Sequence, residues 1–265
     1  MKRAVIIYWI IFVEFLIPFI LGKNIIALAE GFHDLIDAVT VTFSYYVTKI
    51  ANISSSTFTY GLHRLEVFSA IINSVVIIVG ALLTLYLTFL NPIENYSLLV
   101  AILSLIAIFL LLTIKDKDEK DLNKKSVITH ALFDVLAYVI GIIILLVYYF
   151  VPYTIITIIG VFGIVILSIV ISMKPLKQSF LIILEGSTVN TEELEKDLKN
   201  INSGVHHIHV WAICGHIKVA TIHVEVDEKL TVKELDKERE KIEKVLREKY
   251  DIDHITVQFE SKRVD

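Results

Sequence analysis

The 265-residue chain is 55% hydrophobic with a mean hydropathy of +0.69, which excludes an ordinary soluble globule. Its formal charge of -4, with basic residues dispersed rather than gathered in a stripe, gives no footprint for nucleic acid. The single cysteine, Cys214, excludes an internal disulfide and any cysteine-based zinc cluster within one chain, so a metal must be held by His, Asp and Glu.

The opening run, MKRAVIIYWIIFVEFLIPFILGKN, begins with Lys2 and Arg3 like a signal peptide, but its apolar stretch is long for that role and no small-x-small site follows. It reads as the first of six spans: about Ala4 to Leu21, Ile25 to Ile50, Val67 to Leu90, Tyr96 to Ile114, Val127 to Val151 and Tyr153 to Met173. Each approaches or exceeds the roughly 20 residues that a helix needs to cross a bilayer. An even number of spans places both termini on one side. Lys2, Arg3, Lys49, Arg64, the lysines of the 115–126 loop, Lys174 and Lys177 fall on that side, against only Lys23 in the opposite loops, so both termini are expected in the cytoplasm. The loop from Lys115 to Ser126 has no histidine and reads as a solvated link. The hydrophobicity stops near Pro175, giving a six-span membrane domain over 1–176 and a soluble domain over 177–265.

Ionised groups inside a span cost roughly 2.5 to 3.5 kcal/mol each on insertion scales. Span two nevertheless carries Glu30, His33, Asp34 and Asp37. His33 and Asp37 are four apart, on one helix face, and the spacing recurs at His130 and Asp134 of span five, within THALFDVLA. Any one of these polar residues could be merely hydrogen-bonded in a bundle; the same pair occurring twice points instead to one shared divalent ion. Two imidazoles and two carboxylates suit tetrahedral zinc, whereas monovalent copper would prefer sulfur, of which the chain offers only Cys214 and two Met. Protons compete for the same ligands, and histidine titrates near neutral pH, so metal–proton antiport is the expected mechanism. Glu30 lies on the His33 and Asp37 face, Glu14 is a second buried acid, and Asn24 and Asn73 can bond between helices. His63, in the loop YGLHRLE, stands where it could capture metal at an entrance or simply be solvated.

The tail reads helix, strand, strand, helix, strand. TEELEKDLKNI is an amphipathic helix with Thr191 as its expected cap. VHHIHVWAIC and HIKVATIHVEV alternate in period two about Gly215, a hairpin. VKELDKEREKIEKVLREKY is a long charged helix, and HITVQFE a last strand with Ile255, Val257 and Phe259 on one face. That order fits a ferredoxin-like α+β domain. It holds His206, His207, His209, His216, His223 and His254. Strand histidines can simply face solvent, but His223, His254 and Glu260 all point away from the apolar face and could converge on a regulatory metal.

The chain resembles the cation diffusion facilitator family of zinc-exporting proton antiporters over nearly its whole length. The resemblance rests on GFHDLID and THALFDVLA, on YGLHRLEV leading into the third span, and on IHVW, TIHVEV and HITVQFE in the tail. It implies a multi-pass homodimer in the cell membrane that moves metal, zinc above all, by alternating access, with tails that associate and bind regulatory zinc. His206, His223 and Glu260 match the family's tail ligands; Asp236 and Gln258 stand where bacterial members carry further histidines. Histidine in the first pair resembles the zinc-preferring members, and the His-rich loop of eukaryotic members is missing. Two other classes compete: a membrane-tethered metal sensor, and an intramembrane metalloenzyme, for which the H-E-x-x-H helix is lacking.

Overall fold

The computed structural model of the chain describes residues 1–22, 25–90, 98–114, 121–150 and 154–262. These form two compact units, Met1–Ser179 and Phe180–Asp265.

The first unit is helical. Its helices are α1 (Lys2–Gly22), α2 (Ile25–Ile50), α3 (Arg64–Leu90), α4 (Leu98–Leu111), α5 (Leu122–Phe150) and α6 (Thr154–Ile183). Apolar stretches long enough to cross a membrane occupy Arg64–Leu83, Leu122–Ile144 and Ile158–Ile183. A helix satisfies its own backbone polar groups, which is what allows these sequences to sit in hydrocarbon. One core joins α1, α2, α4 and α5 through Tyr8, Ile11, Phe15, Val41, Leu111 and Ala131. A second joins α3, α5 and α6 through Ile77, Ala81, Phe133, Ile164 and Val165. The outer faces expose Phe109, Phe162, Val170 and Phe150, a surface suited to lipid rather than water. The protein is membrane-embedded.

Several helix limits differ from the hydropathy reading, by the widest margins at the start of α5 and the end of α6. Helix α5 begins at Leu122 rather than near Val127, because Asp121 accepts from the Lys124 backbone N–H at 3.0 Å and Asn123 and Ser126 turn inward to bond other helices. Helix α6 continues past Met173 to Ile183 with Pro175 inside it, so the lost backbone donor is absorbed locally and the apolar run beyond it stays helical.

The second unit contains α7 (Thr191–Lys199), β1 (Val205–Ala212), β2 (Lys218–Glu225), α8 (Val232–Tyr250) and β3 (His254–Glu260). The sheet runs β1-β2-β3, antiparallel between β1 and β2 and parallel between β2 and β3, so α8 is the crossover. The cap of α7 is Asn190, not Thr191: the asparagine oxygen accepts from the backbone N–H of Glu192 and Glu193, and Thr191 is the first helical residue. Leu194 and Leu198 of α7, with Ile242, Leu246 and Tyr250 of α8, pack on Val205, Val210, Ala220, Ile222 and Val224 of the sheet. This covers one sheet face and leaves the other open. Strand β1 departs from strict period two: its register shifts between His206 and His209.

Candidate metal centre

The two histidine–aspartate pairs of α2 and α5 converge. Asp37 lies between the two rings, its Oδ2 3.4 Å from His33 Nε2 and its Oδ1 3.0 Å from His130 Nε2. Asp134 Oδ2 is 3.7 Å from His130 Nε2. Ligands at about 2.0 to 2.1 Å from a tetrahedral ion stand about 3.3 Å apart, and each of these separations is close to that value, the two on Asp37 falling on different oxygens. Donor atoms of His33, Asp37 and Asp134 also fall within 4.8 Å of one another.

Burial leaves the charge of these carboxylates in need of neutralising. Asp37 and His130 are each 1% exposed and Asp134 5%, while His33 is partly open. Two buried carboxylates beside two neutral imidazoles leave a charge of about -2 in a low-dielectric interior, which either a divalent ion or two protons would neutralise. Asp134 Oδ1 is buried with no hydrogen-bond partner among the described residues. A metal-ion ligand in waiting has this signature, so the residues present fit a divalent ion.

Neighbouring helices hold the ligands in place. Tyr8 of α1 donates to Asp134 Oδ2 at 2.6 Å and sets its ring edge-on to His130, centroids 5.8 Å apart. Tyr138 donates to Asp34 Oδ1 at 3.0 Å. Gly80 of α3 leaves room for the His33 ring, since a Cβ there would meet His33 Cε1 at 3.1 Å. Toward the chain ends of the same helices, Asn73 donates to Ser44 Oγ at 2.9 Å and Ser126 Oγ at 2.8 Å, and Asn123 donates to the Ser44 carbonyl at 2.7 Å and Thr48 Oγ1 at 2.9 Å. The interhelical role expected of Asn73 is thus realised. The side chain of Glu30, and Asn24 itself, lie outside the described residues. Tyr8 and Tyr138 were not singled out from sequence. A phenol within an apolar span needs a partner, which was the available signal, but nothing local names that partner.

His63 stands apart from this quartet, its Nδ1 3.7 Å from Glu66 Oε1 at the start of α3. In the tail, His206 Nε2 lies 2.7 Å from Glu260 Oε1, and His223 Nδ1 lies 3.4 Å from Glu260 Oε2. The His206 Nδ1 sits 2.8 Å from the Gly204 carbonyl, which can only accept. That bond puts the ring proton on Nδ1 and turns the Nε2 lone pair toward the carboxylate, an arrangement made favourable by a metal or a proton between them. His254 and Asp236 do not join this group. His254 pairs with Val219 at the far end of β3, whereas Glu260 pairs with Glu225, about 20 Å along the strand at 3.3 Å per residue. Asp236 rides on α8, whose buried residues pack on the opposite sheet face, and is paired with Arg239 at 3.0 Å.

Comparison with known proteins agrees with both units. Residues 1–184 match the cation efflux transmembrane domain, and residues 187–262 match the cytoplasmic domain of cation efflux proteins. The chain is 28% identical over 266 residues to the zinc transporter ZitB of Pectobacterium atrosepticum, covering 93% of this chain and 80% of that protein. It is 26% identical over 262 residues to ZitB of Escherichia coli, covering 91% and 80%. Against the cadmium, cobalt and zinc/H(+)-K(+) antiporter of Bacillus subtilis it is 23% identical over 283 residues, covering 98% and 89%. Matched across its transmembrane and its cytoplasmic part alike, the chain belongs to the cation efflux family, the cation diffusion facilitators, which are transporters and not enzymes.

Proposed function

We propose that this transporter exports divalent metal, zinc first, in exchange for protons, working by alternating access as a homodimer in the cell membrane with both termini in the cytoplasm. His33, Asp37, His130 and Asp134 hold the transported ion. His206, His223 and Glu260 hold a regulatory zinc in the tail, and His63 meets metal on its way in.

One observation carries the reading: two histidine–aspartate couples from separate helices meet around Asp37 at separations near those of ligands on one zinc, and two of the four residues are buried carboxylates whose charge partners among the described residues are titratable imidazoles. A closed structural zinc would have no route for loading inside lipid, whereas a site between helices near the middle of a membrane unit is where transporters bind ions. The ligands must be deprotonated to bind, so metal arriving displaces protons and protons arriving displace metal. The names of the relatives, zinc transporters and a metal/proton-potassium antiporter, point the same way. Dimerisation is supported by the match to the family's cytoplasmic dimer domain.

The test is flux in proteoliposomes with an imposed pH gradient. Zinc should move against a counterflow of protons, and Asp37→Asn and Asp134→Asn should each abolish both flows. Stoichiometric zinc binding without movement would replace this reading with the membrane-tethered sensor.

A further inference from the structure

Where α1 begins and α4 ends, a groove of about 580 Å³ opens between the two helices. Its floor is Ile7 and Leu110, which pack into the core that joins them, and its rim is Ile6 and Phe109, 51% and 71% exposed. The volume falls within the roughly 300 to 1,000 Å³ of ordinary ligand sites.

Charge is confined to one end of this groove. Lys2 and Arg3 stand one turn before Ile6 and Ile7 on the same faces of α1, and both are exposed. Among the described residues neither is paired with an acid: the first acid of α1 is Glu14, about three turns on, and α4 carries no charged residue. The 115–120 stretch after α4 holds three lysines and three acids, which cancel. At the same end, Thr113 donates its hydroxyl to the Leu110 carbonyl at 2.6 Å, and the backbone N–H groups of Leu112, Thr113 and Ile114 take up the carbonyls of Ile108, Leu110 and Leu111. The negative end of α4 is thus satisfied internally, while the first N–H groups of α1 have no acceptor within their own helix.

An occupant that suits this surface is apolar along the groove and anionic at its mouth. A soluble anion would leave Ile6 and Phe109 uncovered, and a neutral lipid would leave two cations uncompensated. The α1 side of the lining runs from Lys2 to Ile7, about 8 Å at 1.5 Å per residue, enough for the neck and upper chain of an amphiphile. We propose that Lys2, Arg3 and the groove between α1 and α4 hold an anionic phospholipid, its phosphate on the two cations and the start of one acyl chain against Ile6, Ile7 and Phe109. Basic pockets between membrane helices take such headgroups. The site belongs to the helical unit alone and stands whether or not the histidine–aspartate quartet carries metal.

Native mass spectrometry of the full-length protein in detergent, titrated with phosphatidylglycerol or phosphatidylcholine of the same chains, tests this by counting bound lipid. Phosphatidylglycerol should fill one site per chain that phosphatidylcholine leaves empty. Lys2→Gln and Arg3→Gln, both exposed changes, should each weaken it about fivefold, the change that about 1 kcal/mol per basic residue makes. Ile6→Trp fills the groove, leaves both charges and should weaken it too, whereas Lys174→Gln, an exposed change on α6, should not. Equal binding of the two lipids overturns the proposal, as does an equal loss in Lys174→Gln, which would make the attraction a property of any surface charge. Displacement of the lipid by inorganic phosphate, with Ile6→Trp at parental affinity, would leave an anion site and no lipid site. A shift of the monomer–dimer balance in Ile6→Trp with lipid binding unchanged would give the groove to a second copy of the chain. Either result also overturns it.

Discussion

Tyr8 of α1 donates its hydroxyl hydrogen to Asp134 of α5 at 2.6 Å, across 126 positions of sequence, and so orients a proposed metal ligand from a helix that supplies none of the quartet. Removing a partner of this kind typically costs about 10- to 100-fold in metal affinity. Tyr8→Phe retains the ring against His130 but frees the carboxylate to rotate. The KM for zinc in a flux assay should rise about tenfold with little change in protein yield; an unchanged KM would make the bond purely structural.

Gly80 sets the space available to His33. A methyl group there would sit 3.1 Å from Cε1 and 3.3 Å from Nδ1, so the ring must turn by a few tenths of an ångström. An off-rotamer side chain costs about 0.5 to 1.5 kcal/mol. Gly80→Ala should therefore weaken zinc binding by about 2- to 12-fold, and Gly80→Leu more, measured by zinc titration of the detergent-solubilised protein. Equal affinities in all three would show that His33 adjusts freely or does not bind.

Asn73 ties α3 to α2 and α5 through Ser44 and Ser126. Interhelical hydrogen bonds in membranes average about 0.6 kcal/mol each, with maxima near about 1.7 kcal/mol. Asn73→Leu should destabilise the helical unit by about 1 kcal/mol in an SDS unfolding titration. Asn73→Asp keeps an acceptor but buries a charge, and should be worse.

In the tail, hydrogen bonds from Lys249 and then Tyr250 hold the Asp197 carboxyl below its ordinary value of 3.8. A depressed carboxyl stabilises the fold fully above that ordinary value, and the benefit is lost as pH falls through the lowered folded value. Asp197 is partly exposed and screened by solvent, so the effect is small. Hydrogen exchange of α7 in the full chain, corrected for intrinsic pH dependence, should be faster in Asp197→Asn than in the parent at pH 7. The difference should shrink as the pH falls below 3.8 and vanish once it is below the lowered folded value.

Hydropathy along the chain, the period of the apolar residues and the spacing of polar ones are local properties, and they sufficed for the helical membrane part, the α-β-β-α-β order of the tail and the two His-x-x-x-Asp faces. A four-residue step puts two side chains on one face of any helix, so each couple was legible before its helix had a neighbour. What required the folded molecule was everything set by rotation and register between elements. That the faces of α2 and α5 turn toward each other, that Tyr8 reaches Asp134 and that Gly80 clears His33 follow from how helices pack, and no window of sequence encodes a partner so distant. Parity alone grouped His254 with Glu260 and left the bulge of β1 unseen; the ladder then placed His254 at the other end of β3 and moved His209 onto the face of His206. Parity assigns a side to a strand residue, whereas position along the strand is decided by which backbone groups bond across it.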